Sequence, residues 1–265
     1  MSAYTHILSA LREMQPLVHC MTNTVVPEIT ANVLLAVGAA PAMIDLPEEA
    51  EAFAAIASGL LINVGNGSAE QHEGMRRAAA SADRAGTPWV LDPVAVGGLP
   101  VRTALARELL AHRPTAIRGN ASEILGLAGS TAGGRGVDAT DEVEAAIDTA
   151  RALAEQHHTV VAISGRVDVI VSPGRTTRVT GGSKLMPLVI GTGCSLGAVA
   201  AACAAARGDE SAHDATVAAH ALFGAAGRAA AREAQGPGSF RTAWLDALYT
   251  LSVDEVRLLV EVTDD

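Results

Sequence analysis

At 265 residues the chain has room for one large domain or two small ones, and with 49% hydrophobic and only 18% charged residues it can bury a sizeable core, which excludes a disordered polypeptide. A formal net charge of −10 repels a phosphate backbone and sets aside a nucleic-acid reader; an anionic small molecule would need a local positive site. Three cysteines, odd in number and without a CxxC pair, set aside a disulfide framework and a structural zinc.

Aromatic residues are only 3%, so the core must be aliphatic and rich in alanine. The amino-terminal stretch MSAYTHILSALREMQ has no apolar signal core, and no apolar run approaches the roughly 18 residues of a membrane span. A soluble cytoplasmic protein without a membrane partner is expected.

Short apolar runs alternate with longer helical patterns. Strands are expected at Leu17–Met21 and residues 41–44, 60–64, 89–94, 116–118 and 159–164. Helices are expected at 29–37, 48–57, 69–84, 102–112 and 141–157. Such alternation builds βαβ units and a mostly parallel sheet. The runs are continuous rather than alternating, as strands buried on both faces require. Val167–Ser172 and residues 176–180 flank Pro173-Gly174 and read as an edge hairpin. Beyond Gly191 the chain reads as wholly helical: 194–206, 211–233, 240–251 and 253–262. No repeat or linker divides it, so one domain over 1–265 is expected.

Ligands of open parallel sheets bind beyond the carboxyl ends of the strands. The residues following the apolar runs are Thr22 and Asn23; Asp45; Gly65, Asn66 and Gly67; Asp92; Arg118, Gly119, Asn120 and Glu123; and Ser164 and Gly165. Gly191-Thr192-Gly193-Cys194 precedes an alanine-rich helix, where free N–H groups and the helix dipole can hold a phosphate. Asp92 and Glu123 offer hard oxygens for magnesium, and Arg118 offers a cation for phosphate oxygens. A glycine turn is also an ordinary helix entry, and Asp-Pro an ordinary turn. Taken together the set suggests phosphoryl transfer, although neither GxxxxGK[ST] nor GxGxxG is present. His19 reads either as a core histidine or as a pocket donor.

The stretches PLVHCMTNTVV (16–26), VLLAVGAAPAMID (33–45), LLINVG (60–65), VLDPVAVG (90–97), IRGNASEI (117–124), GRGVD (134–138), GGSKLM (181–186) and GTGCSLGAV (191–199) span nearly the whole chain. In this order they resemble the hydroxyethylthiazole kinases of thiamin salvage, within the ribokinase-like superfamily. The resemblance implies an α/β three-layer fold with a mostly parallel central sheet flanked by helices. It implies ATP-dependent phosphorylation of 4-methyl-5-(2-hydroxyethyl)thiazole on its primary hydroxyl, a magnesium requirement, and a homotrimer with sites at subunit interfaces. Carried over by motif, Arg118, Ser164 and Asn120 would meet ATP. Met43, Gly191, Asn23 and Gly65 would meet the thiazole. Asp92 and Glu123 would serve the magnesium–phosphate region, and Thr192, Gly193 and Cys194 would act at the reacting phosphoryl group.

Cys194 stands where related kinases carry an aspartate base. A helix N-terminus can lower a thiol's pKa, so an assisting thiolate is expected there. Ser164 stands where threonine is usual and keeps the hydroxyl. Asn66-Gly67-Ser68 replaces a threonine-containing turn, and Ser183 replaces a histidine. The competing readings are a kinase of another small alcohol such as hydroxymethylpyrimidine, a repair dehydratase of hydrated nicotinamide cofactors, and a nucleotide sensor that has lost catalysis.

Overall fold

A computed structural model of the chain describes residues 2–129 and 139–265. The GRGVD motif at 134–138 lies outside the described residues.

The chain runs α1 (Ala3–Met14), β1 (Leu17–Met21), α2 (Pro27–Val37), β2 (Ala40–Ala42), α3 (Pro47–Ala54), β3 (Gly59–Asn63), α4 (Ala69–Ala85) and β4 (Trp89–Asp92). It continues through α5 (Pro100–Leu109), β5 (Ala116–Asn120), α6 (Ala121–Ala128), α7 (Ala139–His157), β6 (Val160–Ser164) and the hairpin β7 (Val167–Ser172) and β8 (Arg175–Thr180). It ends with α8 (Thr192–Ala206), α9 (Ala212–Glu233), α10 (Pro237–Thr250), α11 (Val253–Leu259) and β9 (Glu261–Asp264).

Among the described residues the strands form one sheet in the order β2-β1-β3-β4-β5-β6-β7-β8-β9. It is parallel from β2 through β6 and antiparallel from β6 to β9. The pleat sends successive side chains to opposite faces. Leu60 and Ile62 therefore enter a core with α3 to α7, while Leu61 enters a core with α1, α2 and α8 to α11. Strands β1 and β3 to β7 each feed two cores, which is why their residues form unbroken apolar runs. No helix among the described residues is long and apolar enough to cross a membrane.

The fold differs from the sequence reading at four places. The second strand is only Ala40–Ala42 at the sheet edge. Helix α6 was not anticipated; Asn120 caps it, accepting the Glu123 N–H at 2.9 Å. Helix α1, with Ile7, Leu8 and Leu11 on its buried face, was likewise not read. The last helix stops at Leu259 rather than 262, because Val260 is extended and β9 pairs antiparallel with β8. The β7–β8 hairpin is therefore covered at its outer edge. A Ser172–His213–Thr177–Asp264 hydrogen-bond chain ties β9 to α9. All three cysteines are free thiols.

Helix α8 sets small residues, Gly197 and Ala201, against the sheet. A Cβ on Gly59, at the start of β3, would lie 2.6 Å from the Ala201 carbonyl; one on Gly197 would lie 2.9 Å from Leu61 and 3.7 Å from Asp92. The helix thus runs antiparallel to β3 and brings its N-terminus to the carboxyl ends of the strands.

A similar close approach fixes α6. A Cβ on Gly126 would sit 2.6 Å from the Val96 carbonyl and 2.8 Å from Gly97 Cα, backbone with nowhere to go. Gly126→Ala is expected to lower the unfolding free energy by about 2 kcal/mol, the ordinary cost of overpacking, and urea denaturation checks it.

Candidate active site

The strand ends and the start of α8 assemble one polar cluster. Asp92, at the end of β4, is fully buried. Its Oδ2 accepts from Asn63 Nδ2 at 2.8 Å and lies 3.9 Å from an Arg118 guanidinium nitrogen. Its Oδ1 is buried without a partner among the described residues. Burial, and next to it the charge of Glu123, push the Asp92 carboxyl up to about 7 against the opposing pull of Arg118 and the Asn63 hydrogen bond.

Asn63 is the hub that sequence reasoning missed. Its Oδ1 accepts from Asn23 Nδ2 at 3.2 Å and from the Gly65 N–H at 3.0 Å. Asn23 Nδ2 also reaches Cys194 Sγ at 3.4 Å. Gly65 must be glycine here: a Cβ would meet Asn23 Cβ at 2.5 Å. Asn66 accepts the Thr24 N–H at 3.2 Å and donates to the Thr24 hydroxyl at 2.8 Å, locking the turn after β3 to the turn after β1.

Arg118 donates from Nε and Nη2 to Ser164 Oγ at 3.1 and 2.9 Å. Its guanidinium also lies against Gly193, where a Cβ would come within 3.2 Å. Glu123 Oε2 accepts the Asn120 N–H at 2.9 Å, and Oε1 accepts the Ala95 N–H at 3.0 Å. Ala95 is held at a φ of +58°, a left-handed conformation costly to a residue with a Cβ.

Gly191 opens α8 at a φ of +91°, packed so closely on Ile29 that a Cβ would lie 2.4 Å from it. The Thr192 hydroxyl donates to the Met186 and Val189 carbonyls at 2.9 and 3.1 Å, and Ser195 N–H bonds back to Gly191. The Gly193 and Cys194 amides have no partner among the described residues and point out of the helix start. Thr192 is spent on the turn itself: its hydroxyl goes to the Met186 and Val189 carbonyls and its N–H to Val189 at 3.5 Å, so neither is free to act on a ligand.

The Cys194 expectation needs correction. Burial first, and then the charge of Asp92, push its thiol up; the hydrogen bonds from Asn63 and Asn23 and the charge of Arg118 oppose without prevailing. Both leading causes favour the thiol over a dipole-activated thiolate. Cys194→Ala is therefore expected to keep kcat within about tenfold, checked by steady-state turnover.

Met43 is not brought into this cluster; it lies just past β2 at the sheet edge and is 38% exposed. His19 is fully buried in β1, with Nε2 on the Ile44 carbonyl at 2.7 Å and its ring edge-on to Phe53, so it holds the Met43 segment rather than facing a ligand. A groove of about 780 Å³ lies elsewhere, between α1, α11 and β9. Its cations Arg175 and Arg257 are paired with aspartates, so it is not built for an anion.

The model of the hydroxyethylthiazole kinase family matches residues 8–254. The chain belongs to the hydroxyethylthiazole kinase family. A hydroxyethylthiazole kinase of Corynebacterium glutamicum is 55% identical over 265 residues, covering 99% of both chains. One from Clavibacter sepedonicus is 58% identical over 242 residues, covering 91% of this chain and 87% of its own. The solved hydroxyethylthiazole kinase of Pyrococcus horikoshii superposes over the full length of both chains, with a TM-score of 0.91 and 34% identity. Pyridoxal kinase of Staphylococcus aureus, solved with AMP-PCP and pyridoxal, shares the fold alone, with a TM-score of 0.63 and 15% identity. The ribokinase-like three-layer architecture expected for a hydroxyethylthiazole kinase is thus the one found.

Proposed function

We propose that this member of the hydroxyethylthiazole kinase family works as one domain over residues 1–265, with the Asp92–Arg118–Gly193 cluster as its phosphoryl-transfer centre. The reaction joins the primary hydroxyl oxygen of 4-methyl-5-(2-hydroxyethyl)thiazole to the γ-phosphorus of ATP. The bond from that phosphorus to the β,γ-bridging oxygen breaks, and ADP leaves. The observation that carries the reading is the meeting of a largely buried cation, Arg118, with two amides that have no partner among the described residues, Gly193 and Cys194, in a chain whose net charge is −10.

Phosphoryl transfer passes through a loose transition state, so positioning and neutralisation outweigh a base. Arg118, steadied by Ser164, faces the transferring phosphoryl oxygens, and the start of α8 receives them. The alcohol proton passes to a phosphate oxygen or to solvent water as the O–P bond forms, so no thiolate is required. Asn23 and Gly65 wall the alcohol side with Gly191, and Met43, apart from this cluster in the single chain, would reach an alcohol only across the interface with a second copy. Asn120 borders the nucleotide through its helix cap.

The site fits magnesium. Asp92 keeps a buried oxygen without a partner among the described residues, and Glu123 stands close enough to raise Asp92's proton affinity. Among the described residues no three acidic, histidine or cysteine side chains cluster. The remaining ligands would be phosphate oxygens and water, as magnesium prefers. When bound, the ion would neutralise phosphate charge between Asp92 and Glu123.

We also propose a cytoplasmic homotrimer with sites at subunit interfaces. Three free thiols suit a reducing compartment. The three-residue edge strand β2 and the exposed Val25, Met43, Leu188 and Ile190 offer an apolar margin beside Gly191 for a second copy. Light scattering on a sizing column reports the assembly.

The deciding experiment is ADP release by purified protein with magnesium and the thiazole alcohol, with hydroxymethylpyrimidine in parallel. Thiazole-dependent ADP release with a phosphorylated thiazole product is expected. Turnover with the pyrimidine alone would move the function to another small alcohol.

A further inference from the structure

We propose that Asp168 and His220 are positioning residues for nucleotide binding, fixing the turn that carries Ser164; this rests on the reading of Ser164 and Arg118 as the ATP side. Asp168 is the second residue of β7 and lies just past the turn that leaves β6. Its Oδ1 accepts the Gly165 N–H at 2.9 Å, and its Oδ2 meets His220 Nδ1 at 2.7 Å. A carboxylate only accepts, so His220 carries its proton on Nδ1 and donates.

His220 is fully buried in α9, beside Ala219 and Ala221. Its Nε2 is buried without a partner among the described residues. A residue serving packing alone would be aliphatic here, because an imidazole nitrogen without a partner costs free energy in an apolar layer. What that cost supports is the orientation of Asp168.

The Gly165 N–H belongs to the same rigid peptide unit as the Ser164 carbonyl. Pinning it sets the backbone of Ser164 and so the direction of its hydroxyl. That hydroxyl receives two Arg118 hydrogen bonds at 3.1 and 2.9 Å. Gly165 is also pressed against α7, where a Cβ would lie 2.7 Å from Val143 Cγ2. The turn is thus held by Asp168 through its amide and by Val143 through its Cα. The guanidinium that meets the phosphates inherits its position from a helix behind the sheet.

The test is steady-state kinetics with ATP and the thiazole alcohol varied separately, on Asp168→Ala, Asp168→Asn and His220→Gln. Asp168→Ala is expected to raise KM for ATP about tenfold and leave KM for the alcohol within about twofold. Asp168→Asn keeps an oxygen for the Gly165 amide and is expected to recover most of that loss. Phe240→Leu, a core change on α10, controls for general loosening and is expected to lower Tm while leaving both KM values alone. An unchanged KM for ATP in Asp168→Ala overturns the proposal, as does an equal rise in both KM values. If Asp168→Ala does not fold, His220→Gln decides: a rise of about threefold in KM for ATP supports the proposal, and no rise overturns it. Ser164→Ala separates the two levels. A rise in its KM for ATP with none in Asp168→Ala removes the positioning pair alone; no rise in Ser164→Ala removes the ATP-side reading and the pair with it.

Discussion

Asp92→Asn is expected to raise the melting temperature of the metal-free protein at pH 8 and to remove nearly all turnover. The Asp92 carboxyl is pushed up from 3.8 to about 7 in the folded chain, chiefly by burial. A group whose pKa is raised on folding stabilises fully below its unfolded value and loses that contribution as pH climbs through the folded value. The window is therefore about pH 4 to 7. Above it the fold carries a buried carboxylate at a cost of the order of a few kcal/mol. Asparagine keeps the shape without the charge. In EDTA, the Tm gap between variant and wild type widens across that window and levels off above it. The opposite trend from His213, whose pKa burial lowers to about 4, is common to both proteins and cancels. Parallel Tm curves would show that Asp92 does not titrate there. Turnover falls because asparagine offers no negative charge to a cation or to Arg118; kcat/KM is expected to drop by about 10³.

Arg118→Met is expected to lower kcat/KM by about 10³ or more, the scale on which an arginine facing a transferring phosphoryl group acts. The side chain is 11% exposed, so methionine fills much of its volume and the fold is kept. The loss falls on charge neutralisation and on the fork to Ser164. It also removes from Asp92 the cation that restrains its rise, so the Asp92 carboxyl moves further up. Arg118→Lys restores charge but not the two-pronged bond, and is expected to recover only part of the rate. Arg118→Met turning over within tenfold of wild type would place the phosphoryl site elsewhere.

The sheet was legible because burial on both faces writes itself as unbroken aliphatic runs. Leu17–Met21 and Val167–Ser172 match their strands residue for residue. The acids and glycines of the site were legible because they follow those runs directly. Asn63 was hidden for the same reason the strand was visible: residues 60–64 read as one apolar run, which absorbed its only amide. The signal was there, since an amide in an otherwise aliphatic buried strand must find partners, and it finds Asp92 and Asn23. Helix α6 was hidden behind function: Asn120 and Glu123 were read as ligand-facing, although Asn-x-x-Glu is also a capping box, and in the fold they form one. Strand β9 could not be read, because what stops α11 is pairing with β8, whose partners lie more than eighty residues away. The thiol of Cys194 was misjudged because the helix terminus is visible in sequence while burial and Asp92 are not.

Helix α8 has twelve of its fifteen residues buried, and apart from Leu196 and Val199 these carry small side chains. There are few long rotamers to absorb a misfit, so an intruding methyl group must move the helix as a whole. Its far end is pinned where Gly59 meets Ala201, and its near end carries the Gly193 and Cys194 amides. The enzyme's rate is in this sense a strain gauge for its own interior: a substitution at the Ala201 end, away from the phosphoryl-transfer cluster, is expected to read out in ATP turnover as well as in unfolding.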